Sequence, residues 1–503
     1  MSGILEMAIM TSAEKFSCEF DCYYCPNQPG MPRSYVAEGP SARRALHWNF
    51  NTIGQFHERA STYALNGHPV DKIEVIVLGG TWDSYPISYQ IEFIRDVYRA
   101  ANTFYDMQIE SDRNYTMEEE IKINETAMCK IIGLTIETRP DQISEEQICQ
   151  LLSYGVTRVQ IGIQHTNNRI LKGINRKCTI EQVYDAIYLL KEAGLKVQTH
   201  WMPNLPNSTP DLDKRMFDEL NYNQLLQSDD IKIYPTIVTK TSDKDNEEVY
   251  TVIEKWYNSG KYVPYSNNDL EEVILYGKEH IRPWVRISRI FRDIPMGNIL
   301  GGANVPNMRE QLAKKMKHKC RCIRCSEVRG RIVNPDDINI IVHKYEASDS
   351  IEYFIGAESR DENDDRVLHG FVRLRIPYQR EKWIKELDDC ALIREVHVYG
   401  KLYPTFYRKT NYVNANNNKT YQQHKGLGRR MINHAEEIAI ESGFKKISIT
   451  SGVGARKYYE KLGYRIKGYY MIREIYDWQT FYIYIIYLGL FTILILKLIF
   501  QIP

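Results

Sequence analysis

Short apolar runs rich in β-branched residues alternate with amphipathic helical patterns between residue 70 and about residue 290. The pattern TIEQVYDAIYLLKEAG opens with Thr179 and Gln182 in capping-box spacing and closes with a glycine, which is typical of a helix. Repeated strand–helix units predict a parallel sheet, here a partial TIM-like barrel whose functional residues collect after the strands. The predicted strands are KIEVIVLGG (72–80), IIGLTI (131–136), TRVQIGI (157–163), KVQTHW (196–201), IKIYPTI (231–237) and VRISRI (285–290).

A second pattern begins near residue 340. Three runs that look like antiparallel strands (350–359, 368–376 and 392–400) precede the amphipathic sequence GLGRRMINHAEEIAIESG, whose apolar residues share one helical face. A strand at 445–450 and a helix through Tyr458 follow. This order predicts a separate α+β domain after the α/β domain.

The segment from Trp478 to Leu496 has nineteen residues and no charged side chain. At about 1.5 Å per residue a helix of this length nearly matches a hydrocarbon core of about 30 Å, and aromatic residues load its first part. We therefore expect a C-terminal transmembrane helix and a cytoplasmic-facing, tail-anchored protein of the mitochondrial outer membrane or endoplasmic reticulum. A buried core helix is the alternative. The expected parts are 1–312 (barrel), 313–335 (cysteine-bearing linker), 336–476 (α+β domain) and 477–503 (tail anchor).

Composition narrows the class of protein. The chain is 43% hydrophobic and 26% charged, so it is globular, and its net charge of +1 gives no global attraction to nucleic acid. Six of the ten cysteines fall in two tight groups, and the N-terminus does not have the pattern of a signal peptide. The cysteine groups therefore indicate metal sites in a reducing compartment.

The first group, Cys18, Cys22 and Cys25, has the spacing C-x3-C-x2-C. Three close thiolates suit a 4Fe–4S cluster with one iron left open, and this spacing resembles the radical S-adenosylmethionine (radical SAM) superfamily. The resemblance implies that the open iron binds SAM. A zinc knuckle with a distant fourth ligand is the alternative. Gly79 and Gly80, after the first predicted strand, look like the turn that lets the backbone approach the SAM amino group.

The sequence QQHKGLGRR stands at a predicted helix start. Exposed amides there form an anion site, and glycines let a pyrophosphate approach. The stretch resembles the acetyl-CoA signature of GNAT acetyltransferases, in which a tyrosine on a later helix lies near the thioester and acts as general acid. Tyr458 and Tyr459 occupy that position, and a packing role is the alternative for either of them.

The combination of both signatures with a cysteine linker resembles the Elongator catalytic subunit family, which modifies the wobble uridine of tRNA. Matching strings include VDKIEVIVLGGT, TIETRPD, FRDIPMGNI, QHKGLG and SGVGARKYYEKLGY. The resemblance implies that a SAM-derived radical activates the acetyl group of acetyl-CoA, which then adds to carbon 5 of the uridine and leaves a carboxymethyl group. Its partners would be tRNA and Elongator-type accessory subunits, with a membrane added by the tail.

The resemblance also assigns residues. Cys18, Cys22 and Cys25 would hold the cluster. Lys232 and Tyr234 would line the radical cavity, and Tyr459 matches the tyrosine at the reactive end of the acetyl-CoA site, with Tyr458 as the other catalytic candidate on that helix. The residues expected to bind cofactor are Lys72, Gly79, Gly80, Glu395, Val396, His397, Val398, Gln422, Gln423, His424, Gly426 and Gly428.

The second cysteine group, Cys320, Cys322 and Cys325, resembles the zinc-binding linker of some family members. A closed zinc site needs a fourth ligand, for which His318 and His280 are candidates. The basic run from Lys314 to Arg331 is either a tRNA phosphate contact or a solvated linker.

Two other functions fit parts of the pattern. A protein lysine acetyltransferase would need the GNAT-like half and would keep the iron–sulfur cluster as structure. A membrane-anchored scaffold would need neither the cysteine triad nor the tyrosine pair, and both are present.

Overall fold

The computed structural model describes residues 4–16, 18–105, 114–240, 251–292, 294, 297, 299–302, 308–316, 318–331, 333–400 and 426–476. Its strands are β1 (Leu5–Met10), β2 (Lys72–Leu78), β3 (Lys130–Thr138), β4 (Arg158–Gln164), β5 (Lys196–Trp201), β6 (Asp230–Ile233), β7 (Ile237–Thr239), β8 (Arg286–Ile290), β9 (Ile299–Gly302), β10 (Asn339–Glu346), β11 (Ser350–Arg360), β12 (Arg366–Pro377), β13 (Cys390–Val398), β14 (Lys446–Ile449), β15 (Arg465–Lys467) and β16 (Tyr470–Glu474).

The helices follow the periodic segments of the sequence. They are α1 (Pro40–His47), α2 (Thr52–Leu65), α3 (Ile87–Thr103), α4 (Met117–Asn124), α5 (Glu145–Ser153), α6 (Asn168–Gly173), α7 (Ile180–Glu192), α8 (Pro210–Tyr222), α9 (Val252–Asn258), α10 (Asn267–Glu279), α11 (Met308–Lys315), α12 (Ile323–Ser326), α13 (Leu427–Glu441) and α14 (Arg456–Glu460). The capping box at Thr179 and Gln182 is present at the start of α7, as the spacing predicts.

The first sheet has seven parallel strands in the order β1-β2-β3-β4-β5-β6-β8, which confirms the expected partial barrel. All six predicted strands are in it. Strand β1 was not predicted; its residues Met7 and Ile9 are buried, while Glu6 lines a cavity at the end of the barrel where the strands begin. Helices packed outside the sheet bury its outer face, as α/β folds require.

The second sheet has the order β10-β11-β12-β13-β14-β16-β15. Its neighbours are antiparallel except for β13 and β14, which run parallel and pair only from Cys390 to Ile393. Beyond Ile393 the described ladder of β13 is with β12 alone, so β13 and β14 separate there. Helix α13 packs on this sheet through Met431 and Ala435, which confirms the expected α+β domain.

The two sheets meet over the barrel end at which the parallel strands begin. A buried ion network joins them, and Gly452 packs so closely on the Ile132 carbonyl that a Cβ would overlap it. The network consists of Asp229, Lys191 and Glu192 from the barrel side and Glu352, Arg373, Arg375, Lys382 and Arg394 from the domain of the second sheet.

The expected C-terminal transmembrane helix is wrong on the evidence of the structure. Within the described ranges, no helix combines the length and the apolar character that a membrane crossing needs. Residues 477–503, which contain the segment from Trp478 to Leu496, lie outside the described residues. The tail anchor, the membrane partner and the two membrane localisations are therefore withdrawn.

Candidate active site

The first cysteine group lies on the loop after β1, at the barrel end where the parallel strands finish. Its backbone is tied to the segment after α6: the Tyr23 amide donates to the Ile174 carbonyl at 3.0 Å, and the Asn175 side chain donates to the Asp21 carbonyl at 2.7 Å. Cys22 is buried, and Cys18 and Cys25 are half-buried. The loop therefore presents three cysteines at the functional end of the barrel.

Two arginines converge on Cys22. Arg139 Nη1 lies 3.5 Å and Arg176 Nη1 lies 3.7 Å from Cys22 Sγ. A hydrogen bond from Cys25 and the two guanidinium charges outweigh burial and lower the pKa of the Cys22 thiol to about 4. The same hydrogen bond and burial raise the pKa of the Cys25 thiol, so Cys22 is the thiolate of this pair. Three cysteine sulfurs on one loop, with guanidinium groups against one of them, are a donor set that fits an iron–sulfur cluster.

The glycine turn after β2 packs against this loop. Gly79 and Gly80 have φ of 154° and 85°, which few residues with a side chain adopt. A Cβ on Gly79 would overlap the Thr11 side chain, and one on Gly80 would lie 3.2 Å from the Arg33 carbonyl. The structure thus brings the turn beside the cysteine loop; contact with SAM stays a prediction.

The inner face of the barrel is polar along its length. Lys232 Nζ donates to Gln160 Oε1 at 2.6 Å, and His200 Nε2 lies 3.2 Å from the same oxygen. Nearer the cysteine loop, Tyr35 donates to Glu137 at 2.7 Å. Typical TIM barrels fill this space with Val, Ile and Leu, so polar residues here indicate function. We call Gln160, Gln198, His200 and Lys232 the polar column.

Burial and the nearby Lys232 cation lower the pKa of His200, which keeps its imidazole neutral at pH 7. Tyr234, on the same strand end as Lys232, packs its ring 5.5 Å from the His200 ring. The structure therefore brings the two cavity candidates Lys232 and Tyr234 together with a histidine that was not predicted.

At the opposite end of the barrel the polar column meets β13. Glu395 pairs with Arg373 at 2.9 Å and lies 3.9 Å from Lys196, the first residue of β5. Burial would raise the pKa of Glu395, but the Lys196, Arg373 and Arg158 cations outweigh it and hold that pKa at about 2. A cavity of about 30 Å³ lies here and is lined by Glu395, His397 and charged residues from the barrel strands.

The cysteine loop and β13 therefore stand at opposite ends of the barrel. Strand β4 begins beside Glu395 and ends near Arg176, and its seven residues span about 20 Å at roughly 3.3 Å each. The polar column lies between these ends.

Strand β14 ends at Ile449, opposite Ile393, so the second half of β13 is not paired with it, and the start of α13 lies beside the end of β13. Gly428 stands at the first turn of α13, and a Cβ there would lie 3.0 Å from the Tyr458 hydroxyl and 3.6 Å from Val398. Tyr458 is 44% exposed, whereas Tyr459 is 7% exposed and packs near Tyr464. Of the two tyrosines, Tyr458 thus presents its hydroxyl to the start of the helix.

Three predicted cofactor residues, Gln422, Gln423 and His424, lie outside the described residues. Gly426, which follows them, caps α13 with φ of 81°. Lys72 is the first residue of β2 and forms an ion pair with Asp71 at 3.1 Å. In the ladder between β2 and β3 it lies opposite Lys130, and Gly454 of the second domain packs against Lys130. Lys72 lies close to the segment of the second sheet's domain that contacts the barrel.

The second cysteine group forms a compact site. The Sγ atoms of Cys320, Cys322 and Cys325 lie within 4.8 Å of one another. Hydrogen bonds from the other two thiols outweigh burial and lower the pKa of Cys325 to about 2. Neither His318 nor His280 belongs to this group, and His280 Nδ1 instead lies 2.8 Å from the Tyr276 carbonyl.

Comparisons with known proteins agree with this geometry. The chain matches the radical SAM superfamily over residues 16–217, the radical SAM C-terminal domain over residues 228–318 and the GNAT acetyltransferase family over residues 333–464. The fold and its sites therefore define the class of radical SAM enzymes that carry a GNAT domain. Such a class uses a 4Fe–4S cluster and SAM in one part and acetyl-CoA in the other.

The relatives are more specific. The chain is 39% identical to a tRNA uridine(34) acetyltransferase of Methanocaldococcus infernus, covering 94% of this chain and 86% of that protein. It is 33% identical to the human Elongator complex protein 3, and the match covers 94% of this chain and 84% of that protein. The structure also resembles the solved archaeal Elp3 of M. infernus with an N-terminal deletion, with a TM-score of 0.76 and 36% sequence identity. The match covers 94% of this chain and 100% of that one. The chain belongs to this family of tRNA uridine(34) acetyltransferases and Elongator complex protein 3.

Sequence reasoning missed several residues of the site. Arg139 stands in the string ETRP, but no role follows from a lone arginine after a strand. Arg176, Gln160 and His200 carry no motif. For Gln160 and His200 the only signal was a polar residue inside an otherwise apolar strand run, whereas Arg176 lies between α6 and α7 and had no signal. Because inner and outer positions alternate along a strand, Gln160, Gln198 and Lys232 could have been placed inside the barrel.

Proposed function

We propose that this chain modifies carbon 5 of the wobble uridine of tRNA, with acetyl-CoA as carbon donor and a radical derived from SAM. The observation that supports it best is the position of two candidate sites on one barrel with a polar inner face. The cysteine loop lies at one end of this barrel, and β13 of the GNAT domain lies at the other. The relatives that share its whole length are named for uridine(34) of tRNA or for the Elongator complex. None of these relatives is named as a lysine acetyltransferase, and no observation favours that alternative.

Each residue set has a proposed role. Cys18, Cys22 and Cys25 would hold the 4Fe–4S cluster, which supplies one-electron cleavage of SAM when bound. Gly79 and Gly80 would admit the SAM amino group to the turn beside the cysteine loop. The barrel would exclude water from the reacting atoms.

On the other side, the acetyl-CoA pantetheine arm would lie in the cleft between β13 and β14, along the positions from Glu395 to Val398. Gly426 and Gly428 would admit the pyrophosphate at the start of α13. Tyr458 would donate a proton at the thioester end, since its hydroxyl faces Gly428. Lys72 would contact the cofactor from the barrel.

The two sites are about one barrel length apart, so the acetyl group needs a route between them. We propose that the polar column is that route. Its members include flexible Gln and Lys side chains, and the Gln160 Nε2 and Gln198 Oε1 atoms are buried without a hydrogen-bond partner among the described residues. Orphaned polar atoms in an internal space favour a ligand or water there.

The finer features remain proposals. The chain divides at 1–312, 313–335, 336–476 and 477–503. Zinc would bind Cys320, Cys322 and Cys325, because a zinc ion with bonds of about 2.3 Å needs sulfurs this close together. Accessory subunits of the Elongator type would assist tRNA binding. The linker itself is a weak tRNA contact, since its Lys319 and Arg331 already pair with Asp361.

The test is an anaerobic assay of the full chain with reconstituted iron and sulfide. SAM, acetyl-CoA and a tRNA with uridine 34 are added, and the nucleosides are read by mass spectrometry. We expect 5′-deoxyadenosine and a carboxymethylated uridine, both lost in Cys22→Ser. Cleavage of SAM without any change in uridine would refute the proposed substrate, and absence of the iron–sulfur absorbance would refute the class of chemistry.

A further inference from the structure

Two buried guanidinium groups lie against the sulfur of one predicted cluster ligand. Arg139 and Arg176 are 3% and 5% exposed, and each directs its Nη1 at Cys22 Sγ. Cys18 and Cys25 have no described arginine hydrogen bond of this kind. The asymmetry singles out Cys22 as the ligand on which the protein concentrates positive charge.

The fold holds Arg139 rigidly. It follows β3 directly, forms a bidentate pair with Asp141 at 2.9 and 2.8 Å, and donates to the Arg176 carbonyl at 2.7 Å. Its guanidinium also stacks 3.5 Å above the Phe20 ring. These contacts leave Nη1 of Arg139 directed at Cys22, and the Asp141 carboxylate neutralises the charge of the Arg139 guanidinium.

Arg176 is different, because its charge has no carboxylate partner. Among the residues that the structure describes, Arg176 forms no ion pair with Asp or Glu, and its Nε has no hydrogen-bond partner. Its Nη2 donates to the Gly162 carbonyl at 2.6 Å, an approach that the missing side chain of Gly162 permits. Burying a cation without a carboxylate partner is costly, so the burial of Arg176 indicates that a negative charge belongs beside it.

The sulfur of Cys22, 3.7 Å from Arg176 Nη1, would carry negative charge when it binds iron. When a cluster held by thiolates accepts one electron, the charge of the whole site becomes more negative by one unit. A hydrogen bond to a ligating sulfur and a nearby cation both stabilise the more negative state, which raises the reduction potential. The geometry therefore favours the reduced cluster over the oxidised one.

We propose that Arg176, supported by Arg139, is a positioning residue that stabilises the reduced iron–sulfur cluster through Cys22 Sγ. This inference rests on the proposed function, since it assumes the cluster. The electron comes from a one-electron donor, for which dithionite serves in the test. The two arginines act on the potential of the cluster and not on the binding of SAM.

The experiment is a redox titration of the reconstituted full chain, followed by electron paramagnetic resonance. For Arg176→Gln we expect the equilibrium constant for reduction to fall about tenfold, which corresponds to about 59 mV for a one-electron couple. Arg139→Gln should lower it less, because Asp141 already balances that charge. Arg375→Gln, which removes a buried arginine from the ion network between the sheets, is the matched control and should leave the potential unchanged.

Arg176→Lys covers the case in which the glutamine variants retain no iron, because it keeps the charge but shortens the donor. We expect it to load iron and to lose about threefold in the reduction constant. Potentials equal to wild type in every iron-loaded Arg176 variant would overturn the inference. So would an unchanged potential with weakened SAM binding, which would assign the arginines to the SAM carboxylate. If the wild type itself shows no cluster signal, the proposed function fails first.

Discussion

Arg394 and Asp229 form a bidentate ion pair, with distances of 2.6 and 2.7 Å, at the point where β13 meets the barrel. Both side chains are at most 3% exposed. The pair joins the second sheet to the residue just before β6, and Glu352 adds a second carboxylate to Arg394 at 2.8 Å. The position of Glu395, the next residue, is thereby fixed relative to Lys196.

Removing one partner of this pair should be costly. We expect Asp229→Asn to lower the free energy of unfolding by about 3–5 kcal/mol, because Arg394 would keep a buried charge with fewer partners. Urea unfolding followed by fluorescence measures it. Arg380→Gln, which breaks the exposed pair with Asp389, is the control and should cost under about 1 kcal/mol. Equal losses would show that the junction is not held by this pair.

Acid should weaken the junction. The Arg394 and Lys191 cations outweigh burial and hold the pKa of Glu352 at about 2, below its ordinary value of about 4.3. A carboxylate with a lowered pKa stabilises the fold above its unfolded pKa, and this stability is lost as the pH falls through the folded pKa. The urea midpoint should therefore fall between about pH 5 and pH 2.

The matched variant is Glu352→Gln, which removes the titrating group from the network. It should unfold more easily at pH 7 and show a flatter decline toward low pH. If the decline from pH 5 downward were as steep as in wild type, other carboxylates would control it.

The barrel could be predicted from the sequence because its strands are continuous β-branched runs, which a parallel sheet buries on both faces. Strand β1 escaped prediction because Glu6 interrupts LEMAIM, and β10 escaped because its exposed residues alternate with half-buried ones. The cysteine and glycine motifs could be predicted because their chemistry is local in the sequence.

The remaining parts of the site depend on residues distant in sequence. Arg176 reaches Cys22 across 154 positions, and Gln160 meets Lys232 across 72. Such pairs cannot be predicted from the spacing of residues along the chain, since they follow from the order of strands in the sheet.

The polar column should couple the two sites. In Gln160→Leu, an apolar side chain of similar size replaces the group that binds Lys232 and faces His200. We expect SAM cleavage and acetyl-CoA binding to persist within about threefold, while modified uridine falls at least tenfold. The three quantities are measured in the same anaerobic assay. Undiminished product would show that the acetyl group takes another route.

The second cysteine group should hold one metal ion per chain. We expect aerobically purified protein to contain zinc in proportion to protein, and Cys322→Ser to lose it together with stability, because Cys322 is fully buried at the start of α12. Elemental analysis and thermal unfolding measure both effects. The exposed Cys149 provides the control Cys149→Ser, which should retain the metal. Zinc in both variants would assign it to other ligands.

The tyrosine pair offers the sharpest test of the GNAT cleft. Tyr458 directs its hydroxyl at the start of α13, whereas Tyr459 is buried in the core of the second sheet. Removal of a general acid typically costs 10²–10⁴-fold, so Tyr458→Phe should reduce acetyl-CoA turnover by about 100-fold without lowering the melting temperature. Tyr459→Phe should leave turnover within about threefold. Acetyl-CoA hydrolysis with and without tRNA measures both variants. The reverse order of losses would assign proton donation to Tyr459 and would mean that the cofactor reaches deeper into the cleft, toward Glu395.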